Sequence, residues 1–78
     1  MEKNTFFVIE QKEKTTGKYF SIALKVHNSN NLLSYFSRYT YKGFEIISIN
    51  ACDSWKQAQE IAAFWNDGAR KNGLYAMA

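Results

Sequence analysis

A chain of 78 residues is long enough for one small domain, so we predict that residues 1–78 form a single globular unit. Hydrophobic residues make up 46% of the sequence and aromatic residues 17%, which excludes an intrinsically disordered protein. Ten Lys and Arg against seven Asp and Glu give a net charge of +3, with the two signs interspersed. A nucleic-acid footprint would be a patch or stripe of one sign, so the charge pattern favours an ordinary solvated surface.

The first residues contain only four consecutive apolar side chains, Phe6 to Ile9, too few for a signal peptide or a membrane span. Cys52 is the one cysteine of the sequence, and a lone thiol is typical of a reducing compartment. We therefore expect a cytoplasmic protein without a membrane partner. In a domain this small, apolar burial barely offsets the entropy lost on ordering, so self-association would add useful stability.

Two segments rich in aromatic and β-branched residues, "TFFVIEQKE" and "KYFSIALKV", flank the sequence "KTTG". This pattern predicts a β-hairpin with a type I turn centred on Thr15 and Thr16 and a left-handed Gly17 in a bulge. The turn would place Lys14 opposite Lys18, and the remaining pairs of the hairpin would follow from that register.

Alternation along the predicted hairpin gives it two faces. The predicted core face carries Phe6, Val8, Phe20, Ile22, Leu24 and Val26. The opposite face carries Phe7, Ile9, Tyr19 and Ala23 among polar neighbours.

The hairpin is followed by a segment in which Leu32, Tyr35, Phe36 and Tyr39 recur at helical spacing, which predicts a short helix over roughly 31–39. Gly43 ends that segment, and "FEIISINAC" is typical of a third strand.

The last helix has the clearest pattern. Ser54 and Gln57 have the spacing of a capping box, and Gly73 is a suitable residue for the C-terminal cap. Its apolar stripe contains Ala58, Ile61, Ala62, Trp65 and Ala69, whereas Phe64 lies about 120° away from the stripe. We expect the stripe to pack on Phe20, Ile22, Leu24 and Val26 of the hairpin.

The elements together predict an α+β fold of order β-β-α-β-α, in which the N-terminal hairpin and one further strand form a three-stranded sheet with two helices on one face. Two short helices cover only one face of such a sheet. The other face would then expose a contiguous apolar cluster, and such clusters mark protein contacts. The candidate protein-contact face is Phe7, Ile9, Tyr19 and Ala23.

The stretch "YKGFEIISI" resembles the start of the RNA-contacting octapeptide of RNA-recognition-motif domains. Those domains run β-α-β-β-α-β, however, and their octapeptide presents outward aromatic side chains on which bases stack. The corresponding positions here hold Ile46 and Ile49, which cannot stack. The sequence therefore argues against an RNA-recognition motif.

A hairpin with a Thr-Gly-Lys turn, a third strand and a helix beginning "SWKQAQEIAAFW" resembles the arm-site DNA-binding domains of tyrosine recombinases. The resemblance implies a three-stranded sheet placed in the major groove, with Lys14, Lys18 and Lys25 as candidate phosphate contacts. Two departures weaken it: a helix-forming "NLLSYFSRYTY" separates the second and third strands, and the predicted sheet has no Arg to read bases.

Residues with catalytic chemistry are few. His27 and Cys52 are the only His and Cys, so no metal site can be built without carboxylates. If the second and third strands run parallel, these two residues end at the same edge of the sheet, in the arrangement of a Cys–His nucleophile pair. Buried cysteines and histidines at strand ends are usually inert. We therefore predict no enzyme, no metal and no cofactor.

The runs "FFVIEQKEKTTGKYFSIALKVHNSNNLLSYF" and "CDSWKQAQEIAAFWNDGARKNGLY" resemble small uncharacterised proteins of Gram-positive mobile elements and phages. The resemblance implies a host- or element-regulating role. Because that family has no established activity, the resemblance gives no residue a function. The preferred hypothesis is a non-enzymatic protein-interaction module that binds itself, as a homodimer, or an unknown protein. A small DNA-binding domain is the alternative.

Overall fold

The computed structural model describes residues 4–27 and 32–77. The elements are β1 (Asn4–Glu13), β2 (Tyr19–His27), α1 (Leu32–Arg38), β3 (Phe44–Cys52) and α2 (Trp55–Lys71). The three strands form one antiparallel sheet in the order β2-β1-β3, with β1 in the centre. The predicted α+β class, the element order β-β-α-β-α and the three-stranded sheet are confirmed.

The turn between β1 and β2 is one residue longer than predicted. Gly17 is left-handed, with φ of +73°, as expected. The backbone N–H of Glu13 donates to the carbonyl of Lys18 at 2.7 Å, and the N–H of Gly17 donates to the carbonyl of Glu13 at 2.9 Å. Lys14 is therefore part of the loop, and the predicted pairing of Lys14 with Lys18 is wrong by one residue.

The shift of one residue changes which side chains share a face. Phe7 lies opposite Leu24 and Ile9 opposite Ile22, whereas Val8 lies opposite Ala23. Phe7, Ile9, Ile22 and Leu24 thus share one face, and Val8 and Ala23 share the other with Phe6. Because three consecutive β1 residues from Phe7 to Ile9 are buried, β1 supplies a core on both sides of the sheet.

Each face is covered by its own helix. On one face, Phe36 of α1 packs with Phe7, Ile9, Leu24 and Val26. On the other face, Ala58 and Ala62 of α2 pack with Val8. The prediction that both helices lie on one face is wrong, because an apolar face of a sheet must be covered and β1 has two such faces.

The apolar stripe of α2 is confirmed, but its partners in the sheet differ from those predicted. Its partly buried residues Ile61 and Trp65 pack in the same cluster as Phe6, Ala23 and Cys52, on the face opposite to Leu24 and Val26. The prediction that the stripe packs on Phe20, Ile22, Leu24 and Val26 is wrong because it rested on the shifted register.

The N-terminal cap of α2 forms as the sequence predicts, and the C-terminal cap lies one residue before the predicted Gly73. The hydroxyl of Ser54 accepts a hydrogen bond from the N–H of Gln57 at 3.0 Å, and the Gln57 side chain accepts one from the N–H of Asp53 at 2.6 Å. At the other end Asn72 is the cap, and Gly73 follows it with φ of +71°. Glycine takes this conformation without strain, which explains the end of the helix there.

The short helix α1 is tied to the sheet by polar contacts as well as by Phe36. The Gln11 side chain is completely buried. Its amide group donates to the carbonyl of Tyr39 at 3.0 Å and accepts from the N–H of Tyr41 at 2.9 Å. Of the predicted helix 31–39, residue 31 lies outside the described residues and Tyr39 lies one residue beyond the helix end. Among the described residues, neither helix is long and apolar enough to cross a bilayer.

Candidate interaction surface

The two residues with nucleophilic or base chemistry do not form a reactive pair. β2 and β3 are both antiparallel to β1, so His27 and Cys52 lie at the same end of the sheet, with β1 between their strands. Two strand spacings separate them by roughly 10 Å. Burial, and secondarily the negative charge of Asp53, raise the pKa of the Cys52 thiol, whereas an activated nucleophile needs a lowered pKa.

Within residues 4–27 and 32–77, no group of three or more His, Cys, Asp and Glu lies close enough to hold a metal ion. No pocket is present in this part of the chain either. A binding site on the described residues must therefore use an exposed strand edge or an exposed face of the sheet or helices rather than a cavity.

The four residues of the candidate protein-contact face do not share a face. Phe7 and Ile9 are buried beneath α1, where Ile9 has no exposed surface. Tyr19 and Ala23 lie on the opposite face, across from Lys12 and Val8 respectively. These residues cannot form one exposed surface, because the observed register places the β1 pair and the β2 pair on different sides of the sheet.

The three candidate phosphate-contacting lysines do not form a cluster. Lys14 and Lys18 flank the hairpin turn, while Lys25 lies seven residues along β2, roughly 23 Å from Lys18. The Lys25 ammonium lies over the Trp55 ring, 5.4 Å from its centroid, on the α2 side. Moreover, α1 packs on one face of the sheet and α2 on the other, and these helices obstruct the entry of either face into a DNA groove.

The outer edge of β2 is largely closed by the rest of the chain. The N–H of Tyr19 donates to the carbonyl of Leu74 at 2.7 Å, and its carbonyl accepts from the N–H of Ala76 at 2.9 Å. The side-chain amide of Asn66 accepts from the N–H of Ser21 at 2.8 Å and donates to its carbonyl at 2.9 Å. Asn66 thus satisfies both backbone groups of Ser21 as a neighbouring strand would.

Further along the same edge, the Tyr35 hydroxyl donates to the carbonyl of Lys25 at 3.0 Å. The odd-numbered β2 residues direct their backbone N–H and carbonyl groups away from β1. Of these residues, Tyr19, Ser21 and Lys25 have outward backbone groups that are bonded within the chain. Strand addition at this edge would require these contacts to break.

The outer edge of β3 is open over the described residues. Cross-strand alternation directs the backbone groups of Ser48, Asn50 and Cys52 toward β1, and those of Ile49 and Ala51 outward. No hydrogen bond from the described part of the chain reaches the outward groups of Ile49 or Ala51. We call residues 44–52, with their outward backbone groups, the β3 edge.

Of the exposed side chains of the β3 edge, those of Ile47, Ile49 and Ala51 are apolar and that of Glu45 is charged. Ile47 is the extra residue of a register shift and is 44% exposed, and Ile49, opposite Ile9 on the α1 side, is 45% exposed. The only charged residue of the strand is Glu45. Edge strands in soluble proteins usually carry Lys, Pro, a β-bulge or a covering segment. The β3 edge has neither Lys nor Pro, and its one such device among the described residues is the register shift at Ile47.

Two other large hydrophobic residues are prominent on the surface. Leu33 on α1 is 77% exposed and Phe64 on α2 is 75% exposed. The sequence pattern places Phe64 outside the stripe, and the structure agrees. Both lie on helices, and exposed hydrophobic side chains are common on protein surfaces.

Sequence reasoning missed the β3 edge as a candidate site. Ile46 and Ile49 were considered only as positions where bases might stack. The signal that was present is an apolar strand with a single charge, but such a strand is equally typical of the centre of a sheet. Only the strand order β2-β1-β3 makes it an edge.

Comparison of the chain with protein-family models, with curated proteins and with solved structures found no match.

Proposed function

We propose that the protein is a non-enzymatic protein-interaction module that binds an extended polypeptide along the β3 edge. The observation that supports this most directly is the contrast between the two edges of the sheet. Asn66, Tyr35 and the segment 74–76 bond the outward groups of the β2 edge at Tyr19, Ser21 and the Lys25 carbonyl, whereas the outward groups of Ile49 and Ala51 have no partner among the described residues. Strand addition satisfies such groups, and flanking side chains give specificity.

The exposed side chains of the edge fit the same mode of binding. Ile47 and Ile49 present apolar surface beside the outward backbone groups, so an added strand would bury hydrophobic area as well as form hydrogen bonds. The resemblance to small proteins of mobile elements and phages favours a partner that belongs to such an element or to its host. The alternative, sheet-in-groove DNA binding, is obstructed by a helix on each face of the sheet.

The proposal is tested with a fluorescent peptide that has the sequence of residues 44–51, used as a generic extended apolar strand. Anisotropy should rise on addition of the protein. A peptide of the same sequence with N-methyl groups at alternate residues should bind much more weakly, because it cannot form the edge hydrogen bonds. Equal binding of the two peptides, or binding of neither, would contradict the proposal.

Two variants locate the binding surface. Ile49→Lys places a charge at the β3 edge and should abolish peptide binding. Phe64→Lys is the matched control, because it also replaces an exposed hydrophobic residue with lysine but lies on α2. It should bind the peptide as wild type does. Loss of binding in the control alone would place the surface on α2.

A further inference from the structure

The charges that flank the β3 edge and the side-chain pattern within it indicate which kind of partner binds there. This inference rests on the proposed function. The strand has a basic residue near one end and an acidic residue at the other. Lys42 comes just before it and Asp53 just after it, and both are exposed. An antiparallel pair of two β3 strands brings the basic flank of one copy to the acidic flank of the other. A parallel pair would bring like charges together.

The pattern within the strand is also self-complementary. A two-fold axis at Ser48 places Ile47 of each copy opposite Ile49 of the other, so four exposed isoleucines would meet. The same axis places Glu45 opposite Ala51. An axis at Ile49 would instead place Glu45 opposite Asp53, which is unfavourable because both are carboxylates.

We infer that the occupant of the β3 edge is a second copy of this chain, paired antiparallel through residues 44–52 about a two-fold axis near Ser48. The two three-stranded sheets then form one continuous six-stranded sheet. The β2 edge of each copy lies at the outer limit of this sheet, and its internal bonds at Tyr19, Ser21 and Lys25 disfavour growth into a fibre.

The available area sets the strength of the contact. Nine strand residues are roughly 30 Å long, and strand pairing along one edge buries only a narrow strip on each copy. Such a strip falls below the ~800 Å² per partner of a standard specific interface. We expect a dimer that dissociates on dilution rather than an obligate one.

The first test is the oligomeric state of the whole chain by sedimentation equilibrium, from low to high micromolar concentration. Wild type should change from monomer to dimer across this range. Ile49→Lys should weaken dimerisation by roughly a hundredfold or more, since two apolar contacts are lost and each new charge lies opposite Ile47 of the other copy. Phe64→Lys should dimerise as wild type does. Because Ile49 is half exposed, the thermal unfolding of its variant should show a folded monomer.

The second test is a charge exchange across the proposed axis. Lys42→Glu and Asp53→Lys should each weaken the dimer by about threefold to tenfold, because each places like charges together at both ends. The double variant Lys42→Glu, Asp53→Lys should restore dimerisation. Weakening by both single changes without recovery in the double variant would contradict the antiparallel register.

The outcomes separate this inference from the proposed function. A chain that stays monomeric yet binds the unmodified strand peptide overturns the second-copy inference and leaves the interaction module in place. A chain that neither dimerises nor binds the peptide overturns both. A dimer that Phe64→Lys breaks and Ile49→Lys does not break also overturns the inference, since its contact lies on α2.

Discussion

α2 covers one face of the sheet with 17 residues, whereas α1 covers the other with seven. The buried residues of the long helix are small, Ala58 and Ala62 against Val8, and Ile61 and Trp65 pack around them. The short helix inserts one large side chain, Phe36, among bulky sheet residues. A long helix can lie close to the sheet and gain stability from many small contacts, while a short one needs a single deep anchor.

The two helices also differ in how their ends are held. The ends of α2 are capped locally by Ser54 and by the Asn72–Gly73 pair. α1 depends on residues far away in sequence, since Gln11 bonds the chain just after it and Tyr35 bonds β2. The α2 face should therefore tolerate loss of one contact better than the α1 face, and it should resist added volume more strongly.

The largest effect is expected from Phe36→Ala on the α1 face. Phe36 is 4% exposed and is the buried residue of that helix, so its removal should destabilise the protein by about 3–5 kcal/mol. Small domains are stable by only about 5–15 kcal/mol, which makes this a large fraction of the total. Urea unfolding followed by far-ultraviolet circular dichroism measures the loss.

The matched control is Leu33→Ala on the same helix. Leu33 is 77% exposed, so its truncation should change the stability by less than about 0.5 kcal/mol. If the two variants were equally stable, α1 would not be anchored through Phe36, and the contrast between the two faces would fail.

A smaller effect is expected from Ala62→Leu on the α2 face, where side-chain volume is added rather than removed. Ala62 is buried where the helix lies close to the sheet, so added volume should cost about 1–3 kcal/mol. Ala63→Leu, one residue further along, changes an exposed position with the same alteration in side chain and helix propensity. A thermal melt should separate the two variants clearly. Equal melting temperatures would mean that α2 does not pack closely.

The features that could be predicted from sequence are those set by neighbouring residues. Ser54 with Gln57, Gly17 and Gly73 each act within a few positions along the chain; the first two are confirmed, and the helix cap lies one residue before Gly73. The helical stripe of α2 was also predictable, because its period lies within one element. Such signals need no knowledge of the rest of the fold.

The features that could not be predicted depend on a choice between near-equal alternatives. "FFVI" offers an apolar side chain to either face, so alternation alone does not fix the register of the hairpin. One extra loop residue fixes the register of the hairpin. The register in turn fixes the side of the sheet on which Phe7, Ile9, Tyr19 and Ala23 lie. The open β3 edge depended on strand order, which no local pattern encodes.

The smallest expected effect concerns Cys52, which packs in the α2-side cluster and has no counterpart on the α1 side. Burial, and then the nearby charge of Asp53, raise the pKa of its thiol. A raised pKa in the folded state means that the protonated thiol contributes stability below the pKa of the unfolded chain, and that this contribution is lost as pH rises through the folded pKa. Wild type should therefore lose slightly more stability than Cys52→Ala when mildly alkaline conditions replace neutral ones.

Alkylation by iodoacetamide at mildly alkaline pH gives a second measure of the same property, because only the thiolate reacts. The folded protein should react more slowly than the urea-unfolded chain. Asp53→Asn removes the secondary cause and should recover part of the rate, while burial, the main cause, keeps it below that of the unfolded chain. Equal rates in folded and unfolded protein would show that the α2 face leaves the thiol open to solvent, and would remove this difference between the two faces.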